Sequence, residues 1–372
     1  MMYKRCTRCV MDNESDQSIT FLSDGTCNYC NDVLSRKNQE YFPNEEGKSK
    51  LESIISKIKE DCKDDPYDCM VGVSGGIDSS YIIYLGYKYG LRMLAIHIDD
   101  GFDTPTAVEN LRKLCEKAEV KLVSVQPDPE QYYDLTLSFF KASVPNLAFP
   151  QDNILLAALD EYAKKNNIKY SLSGANFAHE CILERGENPV NAADAVHLKA
   201  IQKKFGTKKI DKLPKMTLMR KYIGSKFFSK VKTIKPLNYI DYNLEKALKD
   251  LNEFCGFEYY GGKHYESVLT RYLQCYYLPM KYNLDKRKSH FSSLIVNGQM
   301  SREDAIEKLK TNPYLESELF AQDEMLIAEK CGISVGKLRE FVNRSALPEA
   351  YYPCSVLNKA APIARRFRRV IG

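Results

Sequence analysis

The sequence predicts an α/β protein: a parallel, five-stranded-type sheet with helices on both faces, an N-terminal zinc-ribbon-like module and a helical C-terminal region. Three observations predict it. Short apolar runs alternate with amphipathic stretches from residue 51 to residue 172, the alternation that builds parallel sheets. Two C-x-x-C pairs lie close together near the N-terminus, and from Leu244 onward the periodicity is helical. The units expected are 1–35, a cysteine module; 48–240, the sheet domain; and 241–372, a helical substrate or partner domain.

The pair Cys6-Thr-Arg-Cys9 is followed after seventeen residues by Cys27-Asn-Tyr-Cys30, the spacing of a four-thiolate zinc site. Each pair aims two sulfurs at one point, and the segment between, with Gly25 at its far end, has room for a short hairpin. An iron–sulfur centre, two disulfides or a redox pair are the other readings of the same spacing. Residues 31–50 are polar and include Pro43 and Gly47, which predicts a linker or a surface-lying connection. Leu51, Ile54, Ile55 and Ile58 open a helix.

Strands are expected at 69–73, 91–98, 121–125 and 168–172, and helices at 79–89, 104–118, 131–141 and 153–165. Residues 199–235 are rich in lysine and read as an insertion or helical lobe over the sheet edge. Helices follow at 244–254, 264–277, 301–310, 322–331 and 335–344.

Composition limits the function. With 372 residues, 44% of them hydrophobic and 28% charged, the chain is ordinary globular protein of two or three units. No apolar run approaches the roughly 20 residues of a membrane span. The opening MMYKRCTRC lacks the apolar core of a signal peptide, which predicts a cytoplasmic protein without membrane contact. Lys and Arg total 54 against 49 Asp and Glu, a bias too small to argue for nucleic acid. The eight cysteines outside the two pairs are scattered singly and read as reduced core thiols.

The chemistry concentrates in Ser74-Gly75-Gly76-Ile77-Asp78-Ser79, a turn between a buried strand and a helix. Helix-start N–H groups favour an anion there, two glycines let the backbone come close to phosphate, and Ser74 and Ser79 add hydroxyls. Asp78 beside phosphates calls for a divalent metal, Mg2+. A plain turn with a capping Asp is the alternative. This S-G-G-I-D-S stretch resembles the signature of the PP-loop ATP pyrophosphatases, which cleave ATP between its α and β phosphates and activate a carbonyl oxygen as an adenylate. That resemblance implies ATP as cosubstrate, with adenine against Gly72, Val73, Ile98 and Asp99, near His97 and Asp100. Ser173-Gly174-Ala-Asn176-Phe-Ala-His179-Glu180 is similar to the G-T-D-x-x-x-E stretch of the NAD synthetase branch. It implies that Gly174 and Asn176 line the nucleotide and that Glu180 shares magnesium with Asp78. A local capping role for Asn176 and His179 is the other reading.

The block Tyr260-Gly-Gly-Lys263-His264-Tyr-Glu266-Ser267, Arg271-Tyr-Leu-Gln274, Leu284-Asp-Lys286-Arg287-Lys288-Ser-His290 and Gly298-Gln-Met-Ser-Arg302, taken with the two motifs above, resembles the N-acetyl sugar amidotransferases of surface-polysaccharide and nonulosonic-acid pathways. The resemblance implies conversion of a sugar acetamido group to acetamidino, with ammonia from a separate glutaminase and cyclase-like pair. Lys263, Lys235 and Mg2+ would meet the charge developing on the phosphates. His264 and Glu266, expected at a helix start, would face sugar or ammonia, or else form the exposed face of an amphipathic helix. The competing reading is a tRNA-modifying PP-loop enzyme using the lysines of 199–235 and Arg365-Arg-Phe-Arg-Arg369. A non-catalytic nucleotide-binding scaffold is the third.

Overall fold

The computed structural model describes residues 2–184, 190–224 and 231–358. Five parallel strands, β1 (Cys69–Val73), β2 (Met93–Ile98), β3 (Lys121–Val125), β4 (Tyr170–Leu172) and β5 (Lys232–Ile234), lie in the order β3-β2-β1-β4-β5. The chain moves outward from β1 to β2 and β3, then crosses back to add β4 on the other side. The strand order therefore reverses between β1 and β4, and the crevice at the carboxyl ends of those strands is where open α/β sheets bind ligands.

Alternation along the strands divides the interior in two. Cys69, Val71, Val73, Met93 and Ala95 join a core with the cysteine module, α2 (Glu45–Asp61), α3 (Ile77–Lys88) and α4 (Pro105–Lys117). Met70, Leu94, Ile96 and Ile98 face the opposite core, built with α5 (Pro129–Ala142), α6 (Phe149–Lys165) and most of the C-terminal helices. Capping sets the helix starts: Thr104 and Asp128 accept from the amides of Ala107 and Gln131, and Pro105 and Pro129 follow at the first helical position. α3 begins at Ile77, inside the motif, rather than at Ser79.

Two expectations are corrected here. Residues 31–50 are not a linker: α1 (Asn28–Glu40) and α2 leave only 41–44 between them. Cys27 caps α1 by accepting from the Cys30 amide, and Asn44 caps α2 by accepting from Gly47. α1 buries only Tyr29, Cys30 and Val33, an apolar stripe too narrow to register as periodicity, while Arg36 pairs with Asp32 and Glu40 on its open face. Residues 199–235 are not simply an insertion. After α7 (Phe177–Glu180) and α8 (Ala195–Phe205) the chain returns to the sheet as β5, with Leu172 opposite Ile234. Its strand is three residues long and flanked by lysines, so no alternation marked it. Lys208 and Lys212 pair with Glu130 and Asp128 at the start of α5. Arg365–Arg369 lie outside the described residues.

Beyond the sheet, α9 (Leu244–Cys255) packs against α3 and α4. The helix expected over 264–277 begins only at α10 (Val268–Tyr272), continues through a π-helical turn (Leu273–Tyr277) and resumes as α11 (Leu278–Tyr282). Gly261 at φ +100° and His264 at φ +64° hold a turn ahead of it, and Ser267 caps it by accepting from Thr270 N. α12 (Lys286–Val296), α13 (Arg302–Lys308), α14 (Glu318–Lys330) and α15 (Val335–Asn343) complete the described chain. No described helix is long and apolar enough to cross a membrane.

Leu251 on α9 is fully buried in the core shared with α3, the helix that begins in the Ser74–Ser79 turn. Leu251→Ala is expected to lower stability by about 3 kcal/mol through lost burial and a cavity. A denaturation midpoint indistinguishable from wild type would show that α9 is not integral to that core.

Candidate active site

The turn after β1 sits at the strand-order reversal. Gly75 has φ +77°, a conformation open to glycine, and Ala107 of α4 leaves no slack for a Cβ there. Several turn donors are already engaged: Gly76 N donates to Ser74 Oγ at 3.3 Å, Ile77 N to Tyr260 Oη at 2.9 Å, and Ser79 Oγ to the Gly76 carbonyl at 3.0 Å. Hydroxyls therefore stand where phosphate oxygens would be received, and they are groups a ligand can displace. Gly174, after β4, packs directly on this helix start. A Cβ on it would stand 2.9 Å from the Asp78 carbonyl carbon and the Ser79 nitrogen.

Three segments meet at one ammonium. Lys263 Nζ lies 2.8 Å from Glu180 Oε1 at the end of α7 and 3.6 Å from Asp78 Oδ2 at the start of α3. Burial pushes the Lys263 pKa down, but Asp78, Glu180 and Glu266 outweigh this and hold it above the usual lysine range. Burial likewise pushes the Asp78 carboxyl up, and the Lys263 charge, His179 and the Tyr242 hydroxyl hold it well below the usual carboxylate range. Tyr242 Oη donates to Asp78 Oδ1 at 2.6 Å, and its carbonyl accepts from Gln299 at 2.8 Å.

Glu266 is only 6% exposed, so it is not the solvated face of an amphipathic helix, and neither it nor His264 stands at a helix start. Its Oε1 is 3.5 Å from Ser74 Oγ and 3.7 Å from His264 Nδ1, while Oε2 is buried without a hydrogen-bond partner among the described residues. The Glu266 carbonyl accepts from Thr104 N, and Ser267 bridges to Asp103, which ties this turn to the start of α4.

The other sequence-selected residues separate by position. Asn176 is the cap of α7, accepting from His179 N at 2.8 Å and donating to the Gly174 carbonyl. Gly72 lies in β1 beside Leu155 and Leu159, Val73 presents its carbonyl to His97 Nδ1 at 2.9 Å, and Ile98 is buried in the sheet core. Asp99 accepts from Gln126. Lys235, just after β5, is exposed and makes no hydrogen bond or ion pair with its side chain among the described residues; the structure does not bring it to Asp78 and Lys263. Residues around the site to which sequence reading gave no role are Tyr242, Gln299, the Tyr260 hydroxyl and His290. His290 and Gln299 stood inside quoted motifs; Tyr242 had no local signal.

The four paired cysteines converge at a second centre. Their sulfurs all lie within 4.8 Å of one another, with Cys6 to Cys30 at 3.9 Å and Cys9 to Cys27 at 3.8 Å. A tetrahedron of thiolates about 2.3 Å from one ion has edges of about 3.8 Å. Amides of Arg8, Met11 and Cys27 point at these sulfurs. The group could hold one metal ion. Two isolated bridges, Arg5 to Asp12 and Phe21 to Cys27, flank the knuckles. The remaining cysteines are free thiols.

Residues 266–362 match the family model described as LPS biosynthesis protein WbpG-like, C-terminal domain. No curated protein matches the chain. Among solved structures, an NMN synthetase from Francisella tularensis aligns over 56% of this chain and 92% of its own, at 15% identity and TM-score 0.30. The U34-tRNA thiolase NcsA from Methanococcus maripaludis, with its [4Fe-4S] cluster, aligns over 88% and 89% at 15% identity and TM-score 0.34. An NH3-dependent NAD synthetase from Campylobacter jejuni subsp. jejuni aligns over 76% and 93% at 15% identity and TM-score 0.33. Likeness at this level says nothing of this chain's activity.

Behind the site, Asp100 accepts from Tyr132 Oη at 2.6 Å and from Phe102 N at 3.0 Å. Burial, with Asp103 alongside, pushes its carboxyl up to about 7. The folded state thus holds this proton more tightly than the unfolded chain, whose Asp titrates near pH 4. The contribution of Asp100 is fully present below about pH 4 and is lost as pH rises through about 7. Asp100→Asn should therefore gain on wild type as pH rises across that window. Thermal midpoints measured from pH 4 to 8 check it; a constant difference would refute it.

Proposed function

We propose that the chain is an ATP-dependent amidotransferase, an AMP-forming carbon–nitrogen ligase of bacterial surface-glycan synthesis. Its substrate would be an acetamido sugar, nucleotide-linked or free, bound for LPS O-antigen, capsule or flagellin glycan, and its product the acetamidino sugar. The observation that carries this reading is the meeting of Asp78, Glu180 and Lys263 at a Ser-Gly-Gly turn on the carboxyl edge of β1 and β4, where a helix start and a cation face one anion site. The LPS-biosynthesis family match over 266–362 supports the pathway class.

An acetamide carbon is a poor electrophile because its oxygen is a poor leaving group. Attack of that oxygen on the α phosphorus of ATP releases pyrophosphate and leaves an imidate whose leaving group is AMP. Ammonia then adds at carbon, and AMP departs with the former carbonyl oxygen. Charge grows on the α phosphate and on departing pyrophosphate, so fixed donors are needed there. Gly76 and Ile77 amides and the Ser74 and Ser79 hydroxyls can turn from their internal partners to phosphate. Lys263 supplies the positive charge.

Asp78 and Glu180 would hold Mg2+, which neutralises phosphate charge when bound. The donor set fits: three carboxylates, Asp78, Glu180 and Glu266, surround the single Lys263 ammonium, and one Glu266 oxygen is buried without a partner. The cysteine centre fits Zn2+, since sulfurs this close leave room for one ion rather than a cluster of several irons. Ammonia would come from a separate glutaminase with its cyclase-like companion.

With ATP, Mg2+, ammonium and a panel of UDP-linked acetamido sugars, the chain should release AMP and pyrophosphate and yield a product lighter by the difference between O and NH. Release of ADP, or equal turnover with glutamine and the chain alone, would refute the mechanism or the partner. Lys263→Ala should cut turnover about a hundredfold, the loss of about 3 kcal/mol of transition-state stabilisation.

Elemental analysis should find zinc bound to wild type and lost from Cys27→Ser, with a lower thermal midpoint; iron and sulfide in the purified protein would overturn the zinc assignment.

A further inference from the structure

We propose that His290 is the base that takes the proton from the nitrogen entering at the activated carbon, with His264 and Glu266 linking it to the phosphate turn. This rests on the adenylylation reading above. The three side chains form a file: Glu266 Oε1 lies 3.5 Å from Ser74 Oγ, His264 Nδ1 lies 3.7 Å from the same carboxylate oxygen, and the His264 and His290 rings are 5.6 Å apart. One end of the file touches the residues that face phosphate. The other ends on α12, inside the segment that matches the LPS-biosynthesis family.

His290 differs from every other histidine of the chain. His97 is held by the Val73 carbonyl and Asp103, His179 by Gln299, His197 by Glu349, and His264 lies against Glu266. The His290 ring makes no hydrogen bond among the described residues, so its nitrogens are available to a ligand. Its neighbour is held in a costly way. His264 takes φ +64°, a left-handed conformation that is uncommon for a residue with a side chain, and a Cβ on Gly262 would meet the Tyr265 ring at 2.8 Å. Strain of this kind persists where the surroundings impose it and clusters at working sites.

The charges around the ring fit the task. Lys263 and His264 face it from the turn, His179 from α7 and Lys286 from its own helix; burial and these groups push its pKa well below the usual histidine value. The imidazole is therefore neutral with a free lone pair. The same positive surroundings disfavour ammonium, so nitrogen enters as ammonia. Its lone pair forms the C–N bond, and the nitrogen becomes positive. One N–H proton passes to His290, and the C–O bond to AMP breaks with its electron pair leaving on AMP. Nothing is oxidised or reduced. A weak base suffices because that carbon also bears oxygen and a second nitrogen, which makes the protonated adduct a strong acid.

The two steps can be read apart. ATP–pyrophosphate exchange, with UDP-N-acetylglucosamine and a UDP-linked diacetamido hexuronate as probes and no ammonia, reports adenylylation. Ammonium-dependent AMP release reports the second step. His290→Gln should keep exchange and lose about a hundredfold or more in ammonium-dependent turnover, and imidazole should restore part of it to His290→Gly. Equal loss of both rates, or loss of neither, overturns the assignment of His290. Absence of exchange in wild type with every probe sinks the proposed function instead, and the base with it.

Discussion

The Lys263 ammonium is the interaction on which the site depends. It joins a carboxylate at the start of α3 to one at the end of α7, and it arrives from a third segment far along the chain. Each partner would be costly alone at this depth, since a partly buried carboxylate or ammonium gives up water and needs an opposite charge to offset the loss. Together they hold the ends of β1 and β4 against the turn that precedes α10. The backbone closes the same gap from the other direction, because Gly174 lets the strand end approach the α3 start more closely than any side chain would allow.

That arrangement is braced from outside the sheet. The cysteine module contributes its sulfurs, Tyr29 and Val33 to one sheet core, and the C-terminal region reads its backbone directly. Arg302 donates to the carbonyls of Cys6 and Cys9, Ser292 accepts from Val10 N, and Lys288 pairs with the buried Asp12. From α1, Arg36 donates to the Cys181 carbonyl and Lys37 to that of Val296. The module therefore clamps α7, which carries Glu180, and α12, which carries His290. A metal ion there would act on the site through packing, at a distance from the chemistry.

The two ends of the site differ in electrostatic character. Near the Ser74–Ser79 turn, the carboxylates of Asp78, Glu180 and Glu266 outnumber the Lys263 ammonium. Around His290, burial and four positive or protonatable neighbours leave the imidazole uncharged. Between them stands Glu266, anchored through its backbone to Thr104 at the start of α4. Small shifts of the 260–267 turn would move Lys263, His264 and Glu266 together, so the segment works as one unit.

How much of this was legible in the chain depends on the range over which each feature is specified. The Ser-Gly-Gly turn between strand and helix, the convergence of the two cysteine pairs and the alternation of strands with helices are local: each is set by the conformational freedom of glycine, by ligand spacing or by side-chain periodicity over a short stretch of chain, and the structure has all three. The helix of 28–40 escaped because its cap is a cysteine and its buried stripe is three residues wide; β5 escaped because three residues flanked by lysine carry no period. Lys235 carries a positive charge too, yet it follows β5 into solvent, whereas Lys263 is folded inward by a glycine turn. The contacts of Tyr242 and Gln299, hydrogen bonds across more than fifty residues, and the ring contact of His290 with His264 on another segment have no local signal, since how the segments pack on the sheet chooses them. Sequence alone determined which charges and ligand types the chain offers; tertiary structure decided which of those side chains meet, because charge and ligand type are properties of residues, while distance and burial are properties of the packed whole.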